Sequence, residues 1–176
     1  MKKSMTWILG IVGLLVLLGI VVFVIGSFLP ETHVASKTLT LHQSPETVWR
    51  IVTDFANQPK WHTAMKSVER LPDRNGHEVW QEEMSGMKIP LETLEIEAPK
   101  RFVRRIASDE LGFGGDWEYI LTPTIDGGCQ LTITENGKVP NPLFRFLSKY
   151  IFGHTATMEA YMKALATKFG EVPAIR

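Results

Sequence analysis

The sequence predicts an α+β protein: a strongly curved, seven-stranded antiparallel sheet around a long C-terminal helix, preceded by one transmembrane helix. Three observations support this fold class. Residues 7–29 are uncharged and apolar, hydrophobicity alternates with a period of two from residue 64 onward, and apolar residues recur at steps of three and four over residues 141–169. A sheet with an apolar face needs a cover, and the last helix is the simplest one.

The apolar segment of residues 7–29 is long enough to cross a bilayer. As a helix it extends roughly 34 Å, compared with about 30 Å of hydrocarbon. Trp7 stands at one end, where interfacial aromatic residues are common. A cleaved signal peptide is the alternative, but its apolar core is usually only about 7–15 residues long. We therefore expect a retained anchor.

Two lysines at the N-terminus set the expected orientation. Lys2 and Lys3 precede the apolar segment, so the positive-inside rule predicts a single-pass cell-membrane protein with a cytoplasmic N-terminus and an extracytoplasmic domain. The predicted division is a cytoplasmic tail (residues 1–6), a transmembrane helix (7–29), a tether (30–36), a folded domain (37–171) and a tail (172–176).

Composition argues against several classes of function. Lysine plus arginine and aspartate plus glutamate each number 19, and no basic tract is present, so nucleic acid is not a predicted partner. The single cysteine, Cys129, permits no internal disulfide. The five histidines are scattered without metal-ligand spacing, so we predict no metal site and no cofactor.

The domain opens with a strand and a short helix. Leu39 and Leu41 alternate with polar residues in the strand of residues 36–43. In the segment SPETVWRIVTDF, Ser44 is the expected N-cap and Pro45 the first helical residue. A second short helical turn follows.

Six further strands are predicted from the period-two pattern. Tight turns at residues 72–76, Ser85-Gly86 and Gly127-Gly128 join neighbours, so the sheet should be antiparallel. Pro90 within the third of them indicates an edge position or a bulge. The six runs are residues 64–71, 77–84, 87–97, 101–108, 116–124 and 129–139.

The C-terminal helix should begin at the N-cap Asn141, with proline following it. Its apolar stripe is interrupted at Gly153, His154 and Thr155. The interruption marks either a polar spot in an apolar pocket or a local accommodation of packing. The stripe consists of Leu143, Leu147, Ile151, Met158, Met162, Leu165 and Phe169.

These elements together resemble a known superfamily. The segments SPETVWRIVTDFANQPKWH, GGDWEYILTP, GGCQLTITENGKV and NPLFRFLSKYIFGHTATMEAYMKAL, in this order, resemble START-like, birch-pollen-allergen-like proteins over residues 38–170. Within that superfamily they resemble the polyketide cyclase/dehydrase and lipid-transport group. The residues that carry the resemblance are Pro45, Val48, Trp49, Asp54, Trp61, Trp117 and Glu135.

The resemblance implies a helix-grip fold with a hydrophobic cavity between the sheet and the C-terminal helix. Members bind lipids, sterols, polyketides and other apolar small molecules, and some are enzymes. The apolar segment of residues 7–29 is a departure from the simplest single-domain members. A ligand derived from the membrane is therefore favoured.

Strand alternation selects the residues expected to line that cavity. Trp80, Glu82 and Met84 share one face of a strand, and Trp117 and Tyr119 share one face of another. A solid core built from the same side chains is the alternative. Of Glu82 and its neighbour Glu83, only one can point inward, and a solvated pair of edge charges is the alternative.

His154 is the one titratable side chain expected on the sheet-facing side of the helix. It would contact the polar end of a ligand or act as a general base; the alternative is a structural histidine satisfied by its neighbours. We assign no other catalytic residue. The predicted ligand-binding residues are Trp80, Glu82, Met84, Trp117, Tyr119, His154 and Met158.

Three functions follow from the sequence. The first is a membrane-anchored binding or carrier module for a hydrophobic small molecule, in particular a lipid. The second is a cyclase/dehydrase-like enzyme that uses a histidine or carboxylate in the cavity as base. The third is a protein-interaction module with a filled core, for which the sequence identifies no partner.

Overall fold

A computed structural model describes residues 2–176. Helix α1 is followed by one strand, two short helices, six strands and a second helical region. The elements are α1 (Lys2–Ser27), β1 (Thr32–Leu41), α2 (Pro45–Val52), a 3₁₀ helix (Phe55–Lys60), β2 (Met65–Arg74), β3 (His77–Met84), β4 (Met87–Glu97), β5 (Arg101–Ile106), β6 (Gly114–Pro123), β7 (Cys129–Lys138), α3 (Pro142–Leu147), a π-helical turn (Ser148–Phe152), α4 (Ala156–Lys168) and β8 (Ala174–Ile175).

The strands form one antiparallel sheet in the order β2-β3-β4-β5-β6-β7-β1-β8. The predicted α+β fold class is confirmed, with eight strands instead of seven. The additional strand lies in the predicted tail of residues 172–176. Its Ala174 pairs with Thr40, and the backbone N–H of Thr38 donates to the carbonyl of Arg176 over 2.9 Å.

Strand β1 starts earlier than the sequence indicated. The ladder between β1 and β7 begins at the pair Thr32–Lys138, so most of the predicted tether, residues 30–36, is strand instead. The prediction was wrong because this part of β1 lies outside the buried core. Val34, for example, is exposed, and an apolar alternation is therefore lacking there. Only residues 28–31 connect α1 to the sheet.

Capping and turn residues behave as predicted. The Ser44 hydroxyl accepts a hydrogen bond from the Thr47 N–H at the start of α2. Hairpin turns contain Asn75-Gly76 and Ser85-Gly86, all with positive φ, as two-residue hairpin turns require.

Pro90 lies in an interior strand, not at an edge or at the bulge that the ladder shows further along β4. Its carbonyl accepts from the N–H of Ala107, which lies just beyond the last residue of β5. The missing N–H of Pro90 points to the same side, where β5 has ended. The Ala107 carbonyl, which would have accepted from that N–H, accepts instead from the Arg74 guanidinium over 2.9 Å, so a proline is tolerated there.

The predicted single helix over residues 141–169 is broken into two. Asn141 caps the first part, accepting from the Leu143 N–H over 2.9 Å. Gly153 then adopts φ 74 and ψ 153, well outside helical geometry, and α4 begins at Ala156. The interruption of the apolar stripe therefore marks the end of one helical segment and the start of another.

The hydrophobic core lies between α2, α4 and the sheet. Apolar side chains of α4 contact the buried face of β1, β6 and β7, and α2 closes one side of the same cluster. The fully buried members include Leu39, Val48, Val52, Phe102, Leu131, Ile133, Met158, Met162 and Leu165.

Helix α1 lies outside this core. Its residues Trp7–Ser27 form a segment long and apolar enough to cross a membrane, and their side chains are uncovered along its length. The helix meets the domain at its last turn. There Gly26 is buried against Pro142 of α3, and the guanidinium of Arg145 donates to the carbonyl of Leu29 over 2.6 Å.

Candidate functional site

A cavity of about 120 Å³ lies between the sheet and α4, and we call it the sheet cavity. The 3₁₀ helix, the residues that follow it, strands β2 to β6 and helix α4 all contribute side chains. Its lining consists of Gln58, His62, Met65, Glu82, Met84, Ile89, Leu91, Arg104, Ile106, Trp117, Tyr119, Thr157 and Tyr161.

An ion pair lies buried in this lining. Arg104 donates to the Glu82 carboxylate, and their side chains are only 3% and 7% exposed. The same guanidinium lies 4.0 Å from the centroid of the Phe55 ring, a cation–π distance. Its Nε and Nη2 atoms donate to no other group among residues 2–176. Arg104 thus reaches the cavity with unused hydrogen-bond donors.

Two further polar side chains in the lining have unused hydrogen-bonding groups. His62 is buried, and neither of its ring nitrogens pairs with another group of the described chain. The Tyr161 hydroxyl is buried and equally unpaired within residues 2–176. The His62 and Tyr161 rings meet edge to face, with centroids 5.5 Å apart, and both side chains line the same cavity as Arg104.

This concentration of unpaired polar atoms is unusual for a protein interior. Leaving a buried donor or acceptor unsatisfied costs about 1–3 kcal/mol, and most buried polar groups are paired. One cavity here contains three side chains with unpaired buried polar atoms: Arg104, His62 and Tyr161. A polar atom of a ligand placed between them would remove this cost.

Burial fixes the protonation states of these groups. It lowers the pKa of His62 below 6.5, an effect that the nearby Glu82 carboxylate partly opposes. The imidazole is therefore neutral at pH 7 and offers one donor and one acceptor. Burial raises the pKa of Tyr161 well above 10, so its phenol remains a donor.

The site is suited to holding a carbonyl or carboxylate oxygen. A guanidinium, a phenol and a neutral imidazole donate from a desolvated environment, where hydrogen bonds to a developing negative charge are strong. Within residues 2–176, no three histidine, cysteine, aspartate or glutamate side chains are grouped to hold a metal ion.

The structure brings together four of the seven residues predicted from sequence. Glu82, Met84, Trp117 and Tyr119 all line the sheet cavity. Glu82 is the inward member of its pair, whereas Glu83 is bound by Lys66 on the other face.

The other predicted residues lie elsewhere. Trp80 packs beside Phe55, with ring centroids 6.1 Å apart, and Met158 is fully buried in the core. His154 lines a separate cavity of about 210 Å³ near the end of α1, which we call the junction cavity. The expectation that His154 faces Trp80, Glu82 and Trp117 is wrong, because the break at Gly153 places it beside β1.

In the junction cavity His154 is stacked on His33 of β1, with ring centroids 3.7 Å apart. Its Nδ1 lies 3.0 Å from the Ser148 hydroxyl, and His33 Nε2 lies 3.3 Å from the Glu135 carboxylate. Burial lowers the pKa of both imidazoles and raises that of Glu135. His154 is thus hydrogen-bonded and stacked by other side chains of the protein. This matches the alternative of a structural histidine that is satisfied by its neighbours.

Sequence reasoning missed His62, Arg104 and Tyr161. A signal for Arg104 was present, because it follows Phe102 by two residues on β5 and must share its face. Tyr161 follows Met158 by one helical turn on the buried face of α4. His62 has no periodic signal, since it follows an irregular 3₁₀ helix.

Comparison with protein families identifies the domain. Residues 32–170 match the family described as polyketide cyclase / dehydrase and lipid transport. The chain belongs to this family. The resemblance drawn from the sequence is thereby confirmed, and the family is one of hydrophobic-ligand-binding and polyketide cyclase-like folds. A search of the curated proteins found no match.

Solved structures share the fold at low sequence identity. A START superfamily protein from Mycobacterium smegmatis is 21% identical, with 77% of this chain and 96% of that chain covered and a TM-score of 0.59. A conserved protein from Geobacillus kaustophilus is 16% identical, covering 82% and 99%, with a TM-score of 0.65. A norcoclaurine synthase from Thalictrum is 13% identical, covering 78% and 93%, with a TM-score of 0.62. These likenesses establish the helix-grip fold.

Proposed function

We propose that this protein is a membrane-anchored binding module for a hydrophobic small molecule, such as a lipid, that carries a hydrogen-bond acceptor at one end. The observation that carries the proposal is the set of unpaired buried donors on Arg104, His62 and Tyr161 around the sheet cavity. The ligand's acceptor would lie among these groups, and its apolar part would lie against the methionine, leucine and isoleucine side chains of the same lining.

The size of the cavity limits what it encloses. At about 120 Å³ it is near the size of an engineered cavity of about 150 Å³ that binds benzene, and it is below the roughly 300–1,000 Å³ of typical ligand pockets. It therefore admits the polar end of an amphiphile and a few carbon atoms. The remainder of a longer molecule would extend through the mouth.

Sheet register supports delivery of the ligand from a bilayer. The end of the sheet that adjoins α1 is marked by one row of paired residues: Thr32 of β1, Lys138 of β7 and Gly114 of β6. Because Arg105 pairs with Asp116, the last residue of β5, Ile106, lies near the same end. Ile106 lines the cavity. With α1 in a membrane, this side of the cavity is the side nearest the lipid.

A retained anchor is supported by how α1 joins the domain. Gly26 packs closely on Pro142, and Arg145 holds the carbonyl of Leu29. A signal peptide removed near Ser27 would take away the surface on which α3 packs. We infer that α1 remains attached and that the domain lies outside the cytoplasm, following the lysines that precede the helix.

The test is the identity and occupancy of a bound molecule. The full chain is purified in detergent, analysed by native mass spectrometry and extracted with organic solvent. We expect a stoichiometric amphiphile that carries a carbonyl or carboxylate. Protein that remains empty after incubation with a total lipid extract, in detergent and in nanodiscs, would contradict the proposal.

Tyr161→Phe sharpens this test. The hydroxyl makes no hydrogen bond within the described chain, so its removal should leave the free energy of unfolding unchanged or slightly higher. Loss of one hydrogen bond to the ligand should weaken binding by roughly two- to tenfold, corresponding to about 0.5–1.5 kcal/mol. Tyr150→Phe, at an exposed tyrosine outside the cavity, is the matched control and should change neither property.

A second candidate function is a cyclase/dehydrase-like enzyme with His62 as base. The neutral, desolvated imidazole suits proton abstraction, and Arg104 and Tyr161 would stabilise an enolate oxygen. Substitution of His62 by glutamine distinguishes the two functions. An enzyme would lose turnover of an added polyketide-like substrate while still binding it, whereas a binding module would show no turnover in either form.

A further inference from the structure

The segment of residues 143–152, which we call the foot, exposes an unusual number of large apolar side chains. It comprises most of α3 and the π-helical turn, and no residue of α3 or of this turn is fully buried. Ile151 and Phe152 are 63% and 66% exposed. The exposed members are Leu143, Phe144, Tyr150, Ile151 and Phe152.

The contact with α1 fixes the position of the foot along the apolar helix. A Cβ atom added to Gly26 would lie 1.9 Å from the carbonyl oxygen of Pro142, so the start of α3 touches the backbone of the last turn of α1. That turn belongs to the apolar span Trp7–Ser27. Wherever this span ends in a bilayer, α3 begins at the same depth.

Hydrogen bonds hold the foot in that place. Arg145 donates to the carbonyl of Leu29 over 2.6 Å and to that of Pro140 over 2.8 Å. Its side chain is 10% exposed, and it also lies 3.5 Å from the carboxylate of Glu31. The foot therefore cannot swing away from α1 without leaving these groups unpaired.

We propose that the foot is a second membrane contact, lying in the interfacial layer of the bilayer beside α1. Aromatic side chains favour this depth, and amphipathic segments of this kind bury their apolar face about 5–10 Å into the headgroup boundary. Lys149, whose ammonium lies 5.5 Å from the centroid of the Tyr150 ring, is placed to meet lipid phosphates. The inference rests on the membrane anchor of the proposed function.

Continuity with α1 favours lipid over a protein as the covering partner. The side chains of α1 and of the foot form adjoining apolar surfaces, joined at Gly26 and Pro142. A single hydrocarbon phase covers both, whereas a protein partner would have to cover the foot while α1 remained in lipid. The foot would also hold the junction cavity, which Ser148 and Lys149 line, at the membrane surface.

The experiment measures the depth of single labelled positions in the full chain. Cys129→Ala provides a cysteine-free background, and Phe152→Cys is labelled with an environment-sensitive fluorophore in phosphatidylcholine nanodiscs with and without acyl-chain spin-labelled lipid. Leu17→Cys, in the middle of α1, is the positive reference. Ile125→Cys, in the exposed β6–β7 turn, is the negative one. Tyr150→Cys repeats the measurement at a second position in the foot.

We expect spin-labelled lipid to quench the labels at Phe152 and Tyr150 several-fold more strongly than the label at Ile125. Quenching at Leu17 but not at Phe152 or Tyr150 would overturn the membrane contact and leave the anchor standing. If both foot labels were in addition shielded from a soluble quencher, a protein would be the covering partner instead. An unquenched label at Leu17 would overturn the anchor itself and the foot with it.

Discussion

The two helical parts on either side of Gly153 carry apolar residues at the same spacing but in different surroundings. Met162 and Leu165 of α4 are completely buried against the sheet, whereas Ile151 and Phe152 of the foot are among the most exposed apolar residues outside α1. Both parts satisfy the same periodic pattern.

The difference shows that an apolar stripe identifies a face that avoids water without identifying what covers it. In α4 the cover is the sheet, and the stripe contributes to the core. In the foot no part of the described chain (residues 2–176) covers the exposed apolar side chains, which lie next to a helix that is apolar on all sides. A glycine with positive φ separates the two environments.

The largest effect is expected from matched truncations on the two sides of the break. Leu165→Ala should lower the free energy of unfolding of the domain by about 2–5 kcal/mol, because a fully buried leucine leaves a cavity. Ile151→Ala should change it by less than about 0.5 kcal/mol. Urea denaturation of the detergent-solubilised chain checks both, and equal losses would contradict the division into core and foot.

A smaller effect is expected where the foot meets α1. Gly26→Val has no room for its side chain against Pro142, so overpacking should cost about 1–3 kcal/mol and loosen α3 locally. Hydrogen exchange over residues 142–152 should become faster, while exchange in α4 stays slow. Gly19→Val is the matched control, because a Cβ at Gly19 meets nothing within 4 Å. Faster exchange in both variants would show that the effect lies in α1 itself.

The smallest effect concerns pH. Burial lowers the pKa of His62 below 6.5, so the unfolded chain binds this proton more tightly than the folded domain does. The contribution of His62 to the free energy of unfolding is therefore fully present above about pH 6.5 and is lost as the pH drops through that value. His62→Gln should remove this part of the pH dependence, which lies below about pH 6.5.

The matched variant at the break is His154→Gln. Burial also lowers the pKa of His154, but its ring is less buried than that of His62, so this variant should flatten the curve less. Denaturation midpoints across the pH range supply the measurement. A larger change from His154→Gln than from His62→Gln would mean that the break, and not the sheet cavity, governs the acid sensitivity.

Much of the fold could be predicted because it depends on local chemistry. Ser44 and Asn141 cap helices as expected, and the turns at Gly76 and Gly86 have the positive φ that hairpins need. Alternation along β3 and β6 correctly predicted that four side chains line the sheet cavity: Glu82, Met84, Trp117 and Tyr119. These features are encoded within a few residues of sequence.

The rest depends on contacts between distant parts of the chain. Whether His154 faces the sheet depended on how Gly153 redirects the backbone, and its partner His33 lies far away in sequence. The short strand β8 forms because β1 has a free edge at Leu39 and Thr40. The unpaired donors of Arg104 and His62 become visible only when every possible partner in three dimensions has been counted.

The short connection between α1 and the sheet determines how far the binding site can travel. Residues 28–31 can extend at most about 14 Å even when fully stretched, and Arg145 holds Leu29 against the domain. With α1 in a bilayer, the domain would stay within this distance of the membrane surface and could not carry a ligand away from it. A ligand would then enter the cavity from the adjoining bilayer, and another molecule would be needed only to carry it further than this distance.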